Sequence, residues 1–154
     1  MERIREPYGD KIRVVFKPLP LPFHSHAFMA ARAALAAREE GKFWQFHDAI
    51  FERSSLNEAV ILAIAKELHL DVQRIGAAME SDEFDGMITG DMNLAHQLGV
   101  RGTPAYFVNG RAISGAIGEL EFRIILQEEL ERAEAKLAEG VPKAQLYDVL
   151  TTSE

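Results

Sequence analysis

Apolar spacing divides the chain into a short extended run, a helical middle, a hairpin and a long closing helix. Met1 to Glu6 is helix-compatible and stops at Pro7-Tyr8-Gly9-Asp10, where proline removes a donor and glycine accepts unusual dihedrals. Lys11 to Lys17 (KIRVVFK) is short, apolar and β-branched, which predicts a strand buried on both faces, and Pro18, Pro20 and Pro22 forbid its continuation. From Ser25, read as an N-cap, the alanine-rich run HAFMAARAALAAREE predicts a helix that stops at Gly41, and KFWQFHDAIFER predicts a second. Ser55-Leu56-Asn57-Glu58 has a capping-box pattern, after which Ile61, Ile64, Ala65 and Leu68 recur at helical spacing up to Asp71, the cap of the next helix.

A further helix runs from about Phe84 to Leu98 and ends at Gly99. Ala105 to Val108 and Arg111 to Ser114 then flank Asn109-Gly110, a hairpin signal because both turn residues accept positive φ. Glu119 to Glu139 is amphipathic, with Phe122, Ile125, Leu126, Leu130, Ala133 and Leu137 on one stripe. The tail turns at Gly140 and Pro142 and becomes helical enough to bury Leu146, Tyr147 and Leu150.

The 154 residues are 47% hydrophobic and 27% charged, the profile of one globular domain with a real core. The net charge of −7 comes without any cluster of Lys and Arg, so neither nucleic acid nor a membrane surface is expected as a partner. No apolar run approaches a membrane span and the start MERIREPYGDKIR lacks the apolar centre of a signal peptide, which places the chain as written in the cytoplasm. Zero cysteines exclude disulfides, thiolate nucleophiles and cysteine-based metal sites within this sequence.

Other candidate chemistry is weak. His24-Ser25-His26 with His47-Asp48 is not a specific zinc spacing, so no metal is expected. His69 and His96 sit in predicted helices without a nucleophile at a recognisable spacing. Trp44 with Phe43, Phe46 and Phe51 reads as core, and Glu128, Glu129, Glu131 and Glu134 read as the solvated face of the last helix. No catalytic residue is assigned.

Three segments, YGDKIRVVFKPLPLPFH, AARAALAAREEGKFWQFHDAIF and LGVRGTPAYFVNGRAISGA, resemble a DsbA-like thioredoxin-fold domain of the protein disulfide oxidoreductase family. The likeness extends over most of Tyr8 to Leu137. It implies an α/β thioredoxin-like fold in a single domain, residues 1–154, with a helical insertion at about 25–99 and a tail at about 140–154. It also implies that Pro104 follows a cis bond and that Gly102, Thr103 and Pro104 form a substrate-binding loop, in which the Thr103 backbone pairs with an extended or unfolded polypeptide.

The sequence departs from the family at its start. The family's first core strand, its CxxC motif and the start of the next helix are expected before Tyr8, where this sequence has only Met1 to Pro7, similar to the end of that helix. The chain is therefore expected to be redox-inactive alone. The absent strand belongs between Lys11–Lys17 and the hairpin, and each buried unpaired backbone group costs roughly 1–3 kcal/mol. The resemblance thus implies homo-oligomer formation, strand exchange between chains or direct closure of the sheet. Full-length members of the family usually act outside the cytoplasm.

Two other readings stand beside the first. Glutathione-dependent transferases and isomerases of the same fold work without a protein cysteine, which leaves glutathione as a candidate ligand at Thr103 where no other cofactor is expected. Alternatively, GVPKAQLYDVL is similar to the linker after a thioredoxin-like unit, and the chain is then a non-enzymatic interaction module of a larger protein.

Overall fold

The computed structural model describes residues 6–152, so the expected helix remnant at Met1 to Glu6 lies almost wholly outside the described residues. The chain forms two compact units, Phe16–Gly99 and the flanking stretches Met1–Val15 with Val100–Glu154.

Phe16–Gly99 is helical: α1 Ala27–Glu39, α2 Phe43–Phe51, α3 Glu58–Glu67, α4 Val72–Glu80 and α5 Asp85–Gln97. The core lies around α1, whose Ala30, Ala33, Ala34, Leu35, Ala36 and Ala37 are all buried. Small side chains let α2 and α4 approach this helix closely, and Phe46, Ile61, Ile64, Ile75 and Ile88 fill the space around it with no exposed surface. Arg32 fastens three elements: Nε and Nη2 each donate to an Asp85 carboxylate oxygen at 2.7 Å, and Nη1 donates to the Met79 carbonyl at 2.9 Å. The hydrogen-bonded Arg32 guanidinium lowers the pKa of Asp85, while Asp85 raises that of Arg32.

The caps follow local donor geometry. Asp71 caps α4 as expected, its carboxylate accepting from the Gln73 and Arg74 amides at 2.9 and 3.0 Å. Ser25 and Ser55 do not cap. His26 occupies the N-cap position of α1, and the Ser25 hydroxyl lies 3.2 Å from His26 Nδ1 instead. Asn57 caps α3 by accepting from the Val60 amide at 3.0 Å. His69 lies just past α3 with φ 53°, outside the helix predicted to contain it.

The other unit holds β1 Ala105–Val108, β2 Arg111–Ser114, α6 Glu119–Ala138 and α7 Leu146–Thr152. The strands pair antiparallel, with Ala105 opposite Ser114 and Val108 opposite Arg111. Asn109 and Gly110 join them at φ 48° and 91°, the positive values that a two-residue primed turn requires. α6 packs on the hairpin: Tyr106 meets Phe122 edge-on at 5.0 Å, and Ile113, Ile125 and Leu126 are buried. Arg132 Nη2 donates to the Leu150 carbonyl at 2.8 Å, fastening α7 to α6.

Several expectations are corrected here. Lys11–Lys17 forms no strand. Lys11 ends a 3-10 turn, Ile12 is extended at φ −124° and ψ 149°, and residues 12–21 join no sheet. A strand exists only through a neighbour's hydrogen bonds, and the described sheet has two members, β1 and β2. Val15 is consequently 62% exposed rather than buried on both faces. Glu129 is buried, not solvated, because it falls three and four residues beyond Leu126 and Ile125 on the same stripe; Arg132 Nη1 pairs with it at 3.3 Å. Phe51 is exposed, because Phe43, His47 and Phe51 share a face of α2 that Phe46 does not. Tyr147 is exposed while Leu150 is buried, since only one side of the seven-residue α7 meets its neighbours.

The first prediction concerns Asp85. Its pKa is lowered in the folded state, so its contribution to stability is present above the unfolded value near 3.8 and lost as pH falls through the folded value. Asp85→Asn should lower Tm at pH 7, with a difference from the parent that narrows progressively below pH 3.8, measured by thermal denaturation monitored by circular dichroism across pH. The second concerns Phe46, which has no exposed surface. Phe46→Ala should destabilise by roughly 3–5 kcal/mol in urea unfolding, the cost of emptying a tightly filled core position.

Candidate functional site

The loop Val100–Pro104 leads into β1, and its conformation begins with backbone choices. The Thr103–Pro104 peptide is cis. Thr103 and Pro104 are exposed and Gly102 is half-buried. Gly102 has a φ outside the left-handed region, and a Cβ built on it would meet nothing within 4 Å. Neither backbone strain nor close packing accounts for glycine at this position. The three residues expected to form the binding loop are contiguous: Thr103 and Pro104 are exposed, and a methyl group at half-buried Gly102 would meet no atom within 4 Å beyond its chain neighbours.

Hairpin register determines which backbone groups next to this loop are free. The Gly115 amide donates to the Pro104 carbonyl at 2.9 Å, which makes 104 and 115 a hydrogen-bonded pair. Alternation along the ladder then assigns Tyr106–Ile113 and Val108–Arg111 to the same class, and turns the N–H and C=O of Ala105 and Phe107 outward. Among the described residues no backbone partner takes up these outward groups. Sequence reasoning singled out Thr103 but not Ala105 and Phe107. The signal for them was present, because a two-residue Asn-Gly loop fixes the pairing parity of both strands.

Charge around the hairpin is local. Arg111, at the start of β2, is hydrogen-bonded to Glu128, and this carboxylate raises its pKa, keeping the guanidinium ionised. The Asn109 amide donates to the Glu129 carbonyl at 3.5 Å.

The histidines are dispersed over separate contacts. The His24 ring lies 4.6 Å from the Phe23 ring, and His47 Nδ1 is 2.7 Å from an Asp48 oxygen. His96 falls in the last turn of α5. Among the described residues no group of three or more His, Cys, Asp or Glu is placed to hold a metal ion. No helix among them is long and apolar enough to cross a membrane.

Comparison with known proteins places this geometry in a family. The DSBA-like thioredoxin domain family matches residues 1–127. A solved thioredoxin-like oxidoreductase from Silicibacter pomeroyi superposes with a TM-score of 0.67 at 35% identity, covering 79% of this chain and 68% of that one. The Na(+)/H(+) antiporter NhaA 3 of Salinispora tropica is 40% identical over 106 residues, 68% of this chain but 16% of the antiporter. The "Probable disulfide bond formation protein D" of Bacillus cereus is 28% identical over 121 residues, 71% of this chain and 56% of that protein. The chain thus spans less than a fifth of the antiporter's length and just over half of the disulfide-formation relative. With a helical unit inserted ahead of a cis-proline hairpin and closing helix, this cysteine-free chain has a thioredoxin-like α/β fold and belongs to the DSBA-like thioredoxin domain family.

Proposed function

We propose that this chain is a polypeptide-holding DsbA-like module without thiol chemistry of its own. The observation that carries the reading is the Gly102-Thr103-Pro104 loop at the head of β1, exposed at Thr103 and Pro104, in a sequence with no cysteine. Thiol-disulfide exchange requires a thiolate to attack a disulfide sulfur, so the chain alone has no group to begin that reaction. Pairing with an extended peptide needs only a free backbone donor and acceptor beside the loop, with side-chain room around them. Thr103 is exposed, and the open space at Gly102 leaves that room. The match to a small part of a much longer antiporter supports the further reading that the chain serves as an interaction module of a larger protein.

Redox and binding measurements test this proposal. Insulin reduction by the purified chain should stay at the uncatalysed background, and turnover clearly above it would overturn the redox part. Titration of the labelled chain with carboxymethylated insulin B chain should shift the Thr103 amide resonance first. Gly102→Ala should weaken that binding while changing stability by no more than about 0.5 kcal/mol, since the added methyl enters open space. Absence of any shift, or equal binding by the variant, sinks the peptide-holding role. Calorimetric binding of glutathione without binding of the B chain would transfer the site to the glutathione-dependent relatives.

A further inference from the structure

The tail helix α7 is tied to the hairpin turn through one residue of α6. Glu129 is buried; its carboxylate accepts from Arg132 Nη1 at 3.3 Å, and its main-chain carbonyl accepts from the Asn109 side-chain amide at 3.5 Å. Arg132 reaches onward, with Nη2 donating to the Leu150 carbonyl at 2.8 Å. The planar fork of a guanidinium suits this two-point grip, which the compact ammonium of a lysine does not reproduce. α7 also meets the turn directly: a methyl group on Gly110 would lie 3.5 Å from Thr151 Cα and 3.6 Å from Thr151 Cγ2. Leu150 is the one buried residue of α7 among the described residues, and Tyr147 and Thr152 are exposed. Helical stability in proteins comes mostly from a packed face rather than from propensity, so α7 depends on Leu150 and on the grip of Arg132.

We infer that α7 is a strap whose docking sets the order of the hairpin and, through it, the affinity of the Gly102-Thr103-Pro104 loop for extended polypeptide; the effect on affinity rests on the peptide-holding role proposed above. With α7 docked, Thr151 backs the Asn109-Gly110 turn. Pairing then runs without a break from Val108–Arg111 through Tyr106–Ile113 to the bond between the Gly115 amide and the Pro104 carbonyl, one residue from Thr103. With α7 released, the turn loses Thr151 and Arg132 loses the Leu150 carbonyl, while α6 still packs on Tyr106 through Phe122. The hairpin then opens locally more often, as an element with fewer packed contacts does. A peptide binding to the loop must order it again, and that ordering weakens the complex.

Amide hydrogen exchange followed by NMR on the full chain tests the coupling. Leu150→Ala should speed exchange of the α7 amides about tenfold or more, and with them the cross-strand amides of Tyr106, Val108, Arg111 and Ile113, while the amides of α1 to α5 keep their protection. Faster exchange in α7 with unchanged hairpin amides overturns the strap. Arg132→Ala should reproduce the pattern, and Arg132→Lys, which keeps a charge beside Glu129, should still leave α7 unprotected; full protection in Arg132→Lys refutes the two-point grip. Should Arg132→Ala unfold because buried Glu129 has lost its partner, Leu150→Ala leaves that pair intact and still decides. Leu150→Ala should also weaken binding of carboxymethylated insulin B chain about threefold or more. Undiminished binding alongside accelerated hairpin exchange overturns the link to the loop. Failure of the parent chain to bind the B chain overturns the peptide-holding role instead, and the exchange pattern then decides the strap by itself.

Discussion

Backbone hydrogen bonding is the constraint on which this molecule turns. A helix satisfies its own amides and carbonyls along its length, whereas an extended segment depends on another segment to take up its groups. The helices of Phe16–Gly99 accordingly form from their own backbone bonds, with side-chain caps added by Asn57 at α3 and Asp71 at α4. In the other unit the hairpin obtains half of its strand bonding from within, and the rest of its backbone faces outward. Lys11–Lys17 shows the same dependence from the opposite side: its β-branched residues favour extension, and Ile12 is extended, yet no ladder forms.

This dependence separates what was legible in the sequence from what was not. The hairpin was readable to the residue, because Asn109-Gly110 selects one turn and that turn sets strand ends and pairing. Asp71 was readable as a cap for a similarly local reason. Where two side chains compete for one job, sequence proximity was insufficient. The Ser25 hydroxyl lies beside the His26 ring, and Asn57 occupies the capping position assigned to Ser55. The charge of Glu129 conceals its place on the apolar stripe, and Lys11–Lys17 carries a strand pattern without a partner, because pairing is a property of two segments. The proposal of a binding loop at Gly102-Thr103-Pro104 rests on family resemblance, since Gly-Thr-Pro by spacing alone specifies no more than a turn.

The family assignment and the absence of cysteine point to a separation of roles within one fold. Backbone pairing with an extended segment needs only a free donor and acceptor and makes no use of electron transfer. Helical packing elsewhere has a different dependence: Arg32 joins the Met79 carbonyl and Asp85 to α1, fixing the ends of two neighbouring elements against the central helix. The chemistry available to the chain and the mechanics of its fold thus draw on different residues.

The buried alanines of α1 carry a thermodynamic consequence beyond close approach. Alanine has essentially no rotamer freedom to surrender, whereas a buried leucine or isoleucine gives up about 0.5–1 kcal/mol of it on folding. Ala30, Ala33, Ala34, Ala36 and Ala37 therefore order the centre of the helical unit at almost no side-chain entropy. The loss falls instead on the larger residues around them, such as Ile61, Ile64, Ile75 and Ile88, whose apolar burial offsets it. Uniqueness of the core thus rests on where large side chains fit around a nearly featureless helix, and a methyl group added to that helix disturbs packing before it gains any contact.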